Sequence, residues 1–333
     1  MNHERNVDKL KEHLDAIMGI QPKEQAPSDT ARAEAYRTAF WDNMYTGMPN
    51  NTIKEGHVAG GTYLVPDSFE KRLVEGLAEE NVLRKIGNVF SAPGRLRLPV
   101  ADTALEGKWV GESGCFEFND LTFSELVFTP HKLGTSILVS EELLEDSGID
   151  LENHISRLFS ERMGKAEEEA FIRGDGNGKP RGLIYQTSVG TETASADTVT
   201  PDDMIDLMYS VKPAYRANGT WLVSEQAYLQ LRKIWTLDGR QLCPTSLAEG
   251  EVMKLFGHPI LVSKYLDGVL PGAKTVLFGD FRYFWIAEHG KRNIKRLAER
   301  YADLGQVGFF ASQRVDAQLV LPEAVKALEV KAA

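Results

Sequence analysis

An α+β fold is predicted for this chain of 333 residues. Three patterns predict it. The clearest is a long amphipathic helix: Asp150 suits an N-cap, and Leu151, Ile155, Leu158, Phe159, Met163, Ala166 and Ala170 line one face down to Arg173. The second is a β-rich stretch from Arg95 to Leu138, with two-residue alternation at Leu96/Leu98 and at Leu121, Phe123 and Val127. The third is a later region in which strands alternate with helices, expected at Thr220–Val223, Pro259–Val262, Thr275–Gly279 and Tyr283–Ala287.

Taken in chain order, Val7, Leu10, Leu14 and Ile17 form a short apolar helical stripe, too few heptads for a stable helix alone. Pro22 to Asp29 is a polar linker. A second helix is expected over Thr30–Tyr45, built on Ala35, Ala39, Phe40 and Met44. Gly47 to Thr62, rich in Gly, Asn and Pro, reads as an extended arm. Folded structure is expected to start at Tyr63-Leu64-Val65-Pro66. Asp67 or Ser68 then caps one helix running through Phe69, Leu73, Leu77 and Leu83.

Ala101 to Asp120 sets Gly107, Gly111 and Gly114 beside Trp109, Phe116 and Phe118. Aromatics on a glycine-jointed hairpin either pack on their own core or wait for a neighbouring subunit to cover them. The long helix, about 35 Å at 1.5 Å per residue, serves as a spine. After a Ser/Thr-rich connection, Thr200-Pro201-Asp202-Asp203 combines an N-cap, Pro at N1 and an acid at N3. A helix from Ser224 to Trp235 follows. Asp238 to Gly250 is expected as a loop, and Val307 to Leu321 as the final strand.

The net charge is −10, which opposes the phosphate-neutralising attraction behind nucleic-acid binding. The acidity is uneven. Glu141–Asp175 holds 11 acidic and 4 basic residues, and Arg282–Arg300 holds 6 basic and 2 acidic. These runs read either as two solvated faces or as complementary surfaces on neighbouring copies. Two cysteines, Cys115 and Cys243, make neither a disulfide framework nor a zinc pattern and fit a reducing cytoplasm. The first 20 residues lack a signal-peptide core, and no apolar run reaches the roughly 18 residues that span a bilayer.

Catalytic readings fare poorly. Gly174, Asp175, Gly176, Gly178, Pro180 and Gly182 belong to a glycine-rich run, GDGNGKPRG, that superficially resembles a phosphate loop. It lacks GxxxxGK[ST] and follows a helix, where a phosphate loop follows a strand. As a calcium loop it fails too, because counting from Asp175 puts Gln186 where the closing Glu belongs. A helix C-cap and tight turn is the better reading. No two of the seven histidines have HxxxH spacing, and no GxSxG elbow occurs. Glu167, Glu168 and Glu169 are read as a solvated face of the spine helix. No cofactor, metal or catalytic site is expected.

The order of segments, rather than any single one, resembles a known family. Ala35-Tyr-Arg-Thr-Ala-Phe-Trp, Gly60-Gly-Thr-Tyr-Leu-Val-Pro-Asp, Lys132-Leu-Gly-Thr, Val139-Ser-Glu-Glu-Leu-Leu-Glu-Asp-Ser, the spine helix and Ala166 to Leu183 follow one another as in major capsid proteins of the Hong Kong 97 type. The resemblance covers about Ala35 to Leu321. It implies an N-terminal extension over 1–55, an N-arm over 56–66, the start of a P domain over 67–92 and an E-loop over 93–132. The P domain with its spine helix would follow over 133–198, an A domain over 199–296 and a return to the P domain over 297–333. It further implies inter-subunit contacts by Trp109, Phe116, Phe118 and Phe123 of the E-loop and by Tyr63, Leu64 and Val65 of the N-arm. Arg240, Gln241 and Pro244 would lie in a loop at the capsomer centre.

The implied function is structural: pentamers and hexamers closing an icosahedral shell around phage dsDNA. The implied partners are further copies of the chain, a portal protein, a scaffold or protease during assembly, and DNA touched non-specifically, with no membrane. The implied location is the virion capsid, assembled in the host bacterial cytoplasm. Members often carry a long scaffolding segment that a protease removes, whereas about 55 residues precede the arm here. Some crosslink a Lys of the E-loop to an Asn near the C-terminal strand, but Gly111–Ser124 holds no Lys and no Asn follows Asn293. The alternatives are an encapsulin-like nanocompartment and, from a different class, a nucleotide-binding enzyme using the 174–182 turn.

Overall fold

A computed structural model describes residues 29–47, 57–58, 62–101, 123–146, 151–234, 253–290 and 292–332. The chain divides into two units, Met1–Ser68 and Phe69–Ala333. In the first, helix α1 (Asp29–Thr46) matches the expected segment and buries Ala39, Phe40, Trp41 and Met44, while Ala35 is exposed. Strand β1 (His57–Val58) pairs antiparallel with β2 (Thr62–Leu64), so part of the anticipated arm is a short hairpin. The predicted N-terminal helix and most of the arm lie outside the described residues.

The second unit opens with two helices where one was expected. Helix α2 (Asp67–Glu80) buries Phe69, Leu73 and Leu77 at 3–4 spacing. Asn81 then leaves helical geometry, and its Oδ1 accepts hydrogen bonds from the amides of Leu83 (2.9 Å) and Arg84 (3.4 Å). That cap starts α3 (Val82–Ile86), so Leu83 belongs to a separate helix. Strands β3 (Asn88–Ala92), β4 (Leu96–Ala101), β5 (Phe123–Phe128) and β6 (His131–Ser140) follow, then α4 (Glu141–Asp146) and the spine α5 (Leu151–Arg173). Next come α6 (Leu183–Gln186), β7 (Ser188–Glu192), α7 (Pro201–Ser210), α8 (Pro213–Arg216), β8 (Thr220–Ser224) and α9 (Glu225–Arg232). The chain ends with β9 (Lys254–Leu255), β10 (His258–Ser263), β11 (Lys274–Gly279), β12 (Phe284–His289), β13 (Asn293–Leu297), β14 (Gln306–Leu319) and β15 (Val325–Glu329).

Strand β14 organises the first sheet. Strand β6 lies along one side of it for ten residues, while β12 and then β13 lie along the other, and β3 pairs parallel with β12. Between Glu288 and Asn293 one strand advances five steps while β14 advances three, from Val315 to Ser312. That bulge redirects the side chains it contains. The second sheet runs β7-β15-β11-β8-β10-β9. Its strands alternate as a two-faced sheet must. Trp221, Val223, Val276 and Phe278 face a core shared with α7 and α9, while Leu222 and Leu277 face a core that also holds Phe171, Phe284, Ile286 and Val315. The two sheets therefore share one apolar layer, with the end of the spine helix inside it.

These memberships correct one expectation. The strand at 306–319 is not the last, because β15 follows it and joins the second sheet through Pro322–Ala324. Strand β7 belongs with the later sheet, whereas β12 and β13 belong with β14. Linear reading groups neighbours in sequence, and here the register of β14 pulls β12 and β13 across.

Close backbone approach fixes the spine. A Cβ on Gly76 of α2 would fall 2.6 Å from Ser160 Oγ, and one on Gly164 of α5 would fall 2.8 Å from Glu80 Cβ. The spine ends in a closed turn. Gly174 donates to the Ala170 carbonyl (2.9 Å), Gly182 donates to the Gly174 carbonyl (2.8 Å), and Asp175 bridges Arg181. A Cβ on Gly174 would lie 2.1 Å from the Pro180 carbonyl oxygen. Gly174→Ala is therefore expected to destabilise the subunit by about 1–3 kcal/mol, whereas Gly94→Ala, with open space around it, should stay within about 0.5 kcal/mol of wild type. Denaturant unfolding of both variants checks this, and equal effects would contradict it.

Candidate functional site

The charged residues expected on a solvated face are in part the interior of the molecule. Glu167 and Glu168 are 1% and 4% exposed, and only Glu169 faces solvent. Glu167 lies four residues after Met163 and eight after Phe159, on the buried stripe of the spine. Arg84 of α3 meets it with two parallel bonds, Nε to Oε2 at 2.7 Å and Nη2 to Oε1 at 3.0 Å. The third Arg84 nitrogen, Nη1, reaches Glu288 Oε1 of β12 at 2.7 Å. Arg292, inside the bulge, also donates to Glu288, to Gln313 Oε1 (2.8 Å) and to Glu70 Oε1 of α2 (3.3 Å). Gln313 of β14 closes the ring by donating to Glu167.

Six side chains thus tie α2, α3, the spine, β12, the bulge and β14 at one point. Burial opposes the charge on Arg84, but the facing carboxylates of Glu167 and then Glu288 outweigh it and hold its pKa above the ordinary guanidinium value. Burial likewise pushes Glu288 up, and the guanidinium groups of Arg84 and Arg292 outweigh it, leaving that carboxyl below its ordinary value. Glu167 of the acidic run and Arg292 of the basic run are therefore each paired within one chain, the first with Arg84 and the second with Glu288 and Glu70. On the far side of α3, Glu168 accepts from Ser263 Oγ, and burial holds its pKa above the ordinary value.

The second feature is the root of a hairpin. Strands β4 and β5 pair from Leu96↔Phe128 to Ala101↔Phe123. Phe128 is fully buried at the root, edge-on to Phe90 at 5.6 Å, in a small core with Ala92 and Ala287. Asp316 of β14 accepts the Thr129 amide at 2.7 Å, and Gln318 Nε2 donates to the Val127 carbonyl. Burial raises the Asp316 carboxyl above its ordinary pKa, against the pull of the Thr129 and Ala317 amides. His131 Nε2 stands 3.9 Å from Asp316. Neighbouring β14 side chains therefore grip the chain where the hairpin leaves the sheet. A polar cleft of 530 Å³ opens beside them, bordered by His131, Asp316, Asp175, Arg181 and Tyr185.

Trp109, Phe116 and Phe118 lie outside the described residues, as do Arg240, Gln241 and Pro244. Phe123 begins β5 opposite Ala101. Tyr63 and Leu64 belong to β2, with Tyr63 opposite His57, and Val65 is buried just after it. Gly174, Asp175, Gly176, Gly178, Pro180 and Gly182 form the closed turn, with Gly176 at φ 81° and Gly178 at φ 71°. The Asp175 carboxylate accepts the Asn177 amide (3.0 Å), so this amide and those of Gly174 and Gly182 are used within the turn and its helix. That accounting disfavours a phosphate cradle. Among the described residues no cluster of three or more His, Cys, Asp or Glu could hold a metal, and no helix is long and apolar enough to cross a membrane. Sequence reading missed Arg84, Glu288, Arg292, Gln313 and Asp316, because no local motif marks them and most of their partners are distant in the chain.

The depressed Glu288 carboxyl gives a pH signature. A group whose folded pKa lies below its unfolded value stabilises the fold fully above the unfolded value, about 4.3, and loses that contribution as pH falls through the folded value. Acidification below about pH 4.3 should therefore lower the unfolding midpoint, and Glu288→Gln should flatten that dependence. An unchanged slope in thermal melts of the variant would contradict the assignment.

Comparison with known proteins agrees with this architecture. The family model described as "Phage capsid family" matches residues 61–330. The major capsid protein of Klebsiella oxytoca phage phiKO2 is 22% identical over 70% of this chain and 57% of its own length, and that of Escherichia phage T5 is 23% identical over 75% and 58%. The chain thus spans under three fifths of these curated relatives. A solved structure described as the capsid of a native GTA particle is 28% identical, with a TM-score of 0.66 over 75% of this chain and 90% of that one. With a match over most of its length, this chain belongs to the phage capsid family.

Proposed function

We propose that this chain is the major capsid protein of a tailed dsDNA phage or prophage, a subunit that closes with its own copies into an icosahedral shell. The observation that supports this most is the family match over 61–330, joined to a likeness to a capsid structure that spans 90% of the latter. In this reading the β14 sheet with the spine is the P domain, and the second sheet with α7 and α9 is the A domain. The 93–132 hairpin is the E-loop and 56–66 the N-arm. Copies assemble as pentamers and hexamers, which requires surfaces that meet heterologously and close.

The chain acts as structure rather than as an enzyme, as the curated relatives' descriptions suggest. A portal and a scaffold or protease would join during assembly in the bacterial cytoplasm. DNA would be enclosed rather than gripped, since a net charge of −10 repels phosphate. Trp109, Phe116, Phe118 and Phe123 would contact a neighbour through the E-loop, Tyr63, Leu64 and Val65 would do so through the N-arm, and Arg240, Gln241 and Pro244 would gather at the capsomer centre.

Negative-stain microscopy of the expressed chain should show shells or ring-shaped capsomers, and a monodisperse monomer or dimer would contradict the proposal. Mature particles boiled in denaturant should run as a single monomer band, because Gly111–Ser124 lacks Lys and no Asn follows Asn293. A covalent ladder would overturn that expectation.

A further inference from the structure

Two Asn-Gly dipeptides occur in the sequence, Asn177-Gly178 in the glycine turn and Asn218-Gly219 just ahead of β8. This dipeptide is chemically labile in one specific way. The glycine amide nitrogen can attack the asparagine side-chain carbonyl and close a succinimide ring, and the lack of a Cβ on the glycine eases the approach. The attack needs an amide that can give up its proton, a free side-chain amide, and room for the main chain to turn.

The two sites differ in these respects. Asn177 and Gly178 are both exposed. Among the described residues, neither the Gly178 N–H nor the Asn177 side-chain amide has a hydrogen-bond partner. Gly178 stands at φ 71°, with nothing within 4 Å of the position a Cβ would take. At the second site Asn218 is exposed but Gly219 is buried. The Gly219 amide donates to the Arg216 carbonyl at 2.9 Å, and its carbonyl accepts from His258 Nδ1 at 3.0 Å. A Cβ on Gly219 would fall 2.4 Å from Phe278 Cζ. Turning the Gly219 amide onto the Asn218 side chain would break the bond to Arg216 and press the chain into Phe278.

We infer that the 174–182 turn is a site of spontaneous deamidation, at which Asn177 becomes an aspartyl or isoaspartyl residue, while the same dipeptide at 218–219 is protected by the fold. Hydroxide takes the Gly178 N–H proton, and the nitrogen bonds to Asn177 Cγ. The Cγ–Nδ2 bond breaks, and that nitrogen takes a proton from water and leaves as ammonia. Water then opens the succinimide at either carbonyl, giving an α-linked or a β-linked acid. Water is the only co-reactant. The neighbouring Asp175-Gly176 does not compete, because an ionised carboxylate is a poor target for the same attack. The Asn177 main-chain amide, with Lys179 nearby, holds the Asp175 carboxyl below its ordinary pKa.

The product sets a new carboxylate beside Asp175, just past the C-terminus of the spine, where the helix carbonyls already concentrate negative charge. The β-linked form also lengthens the main chain of a turn that the Gly182–Gly174 bond closes. The reaction therefore leaves a mark of age on the turn that borders the polar cleft. It does not depend on the shell reading.

The full chain, held in mildly alkaline buffer either folded or in urea, supplies the test. Peptide mass spectrometry follows the amide-to-acid exchange at each site, and an isoaspartyl methyltransferase labels the β-linked product. In the folded chain the acid at 177 should form at least about tenfold faster than at 218, the ratio that one net amide hydrogen bond supplies. In urea the two rates should draw together, because the protection belongs to the fold. Equal rates in the folded chain, or faster conversion at 218, would overturn the inference, as would a bias that survives unfolding.

Discussion

The arrangement depends on one buried ion pair. Arg84 and Glu167 are almost without solvent, with side chains 2% and 0% exposed. Two such charges are costly to bury and are tolerated because each meets several charged or polar partners. Arg84 spends two nitrogens on Glu167 and a third on Glu288, and Gln313 supplies a further donor to Glu167. Close packing at Gly76 and Gly164 fixes the spine against α2, and the ion pair adds a directional tie to α3 and, through Glu288 and Gln313, to the first sheet. A bidentate guanidinium–carboxylate contact is directional, so it sets one register among helix, sheet and bulge. That register positions the elements that pack on the spine helix and β14.

Rigid core and outgoing hairpin are joined through the same strand. Gln313 of β14 belongs to the ion ring, and Asp316 and Gln318 hold Thr129 and Val127 at the hairpin root. The direction in which the hairpin leaves is therefore referenced to the interior cluster. The second sheet is tied in by shared apolar burial, with Phe171 of the spine edge-on to Phe284 at 6.0 Å. It is also latched through Tyr215, whose hydroxyl donates to Glu323 at 2.6 Å. That bond pushes the Tyr215 pKa up to about 12.

Much of this was legible in sequence. The spine helix, the Thr200–Asp203 capping box, the strands near 220, 258 and 274 and the closed glycine turn all rest on local patterns, and local patterns survive folding. What was not legible is what depends on distant partners. Glu167 lies four residues after Met163, but as one of three consecutive acids it reads as part of a solvated face unless Arg84, 83 positions away, is known to meet it. The helix break at Asn81 looked continuous because Leu77 and Leu83 both fit an apolar face. The sheet memberships of β7, β12, β13 and β15 follow from pairing registers that no window of sequence contains. Residues 102–122 and 235–252, which hold the aromatic tip and the central loop expected from the resemblance, lie outside the described structure.

The central claim is that the Arg84–Glu167 contact sets the register on which the outer surfaces depend. A double-mutant cycle tests it most directly: Arg84→Met, Glu167→Met and the double variant, each unfolded as unassembled subunit and each assayed for particle formation. Each single variant leaves a buried charge without its partner and should lose about 3–5 kcal/mol. The double variant should recover most of that stability yet still assemble poorly, because an apolar pair no longer fixes the register. Additive losses across the cycle, or a double variant that builds normal particles, would contradict the account.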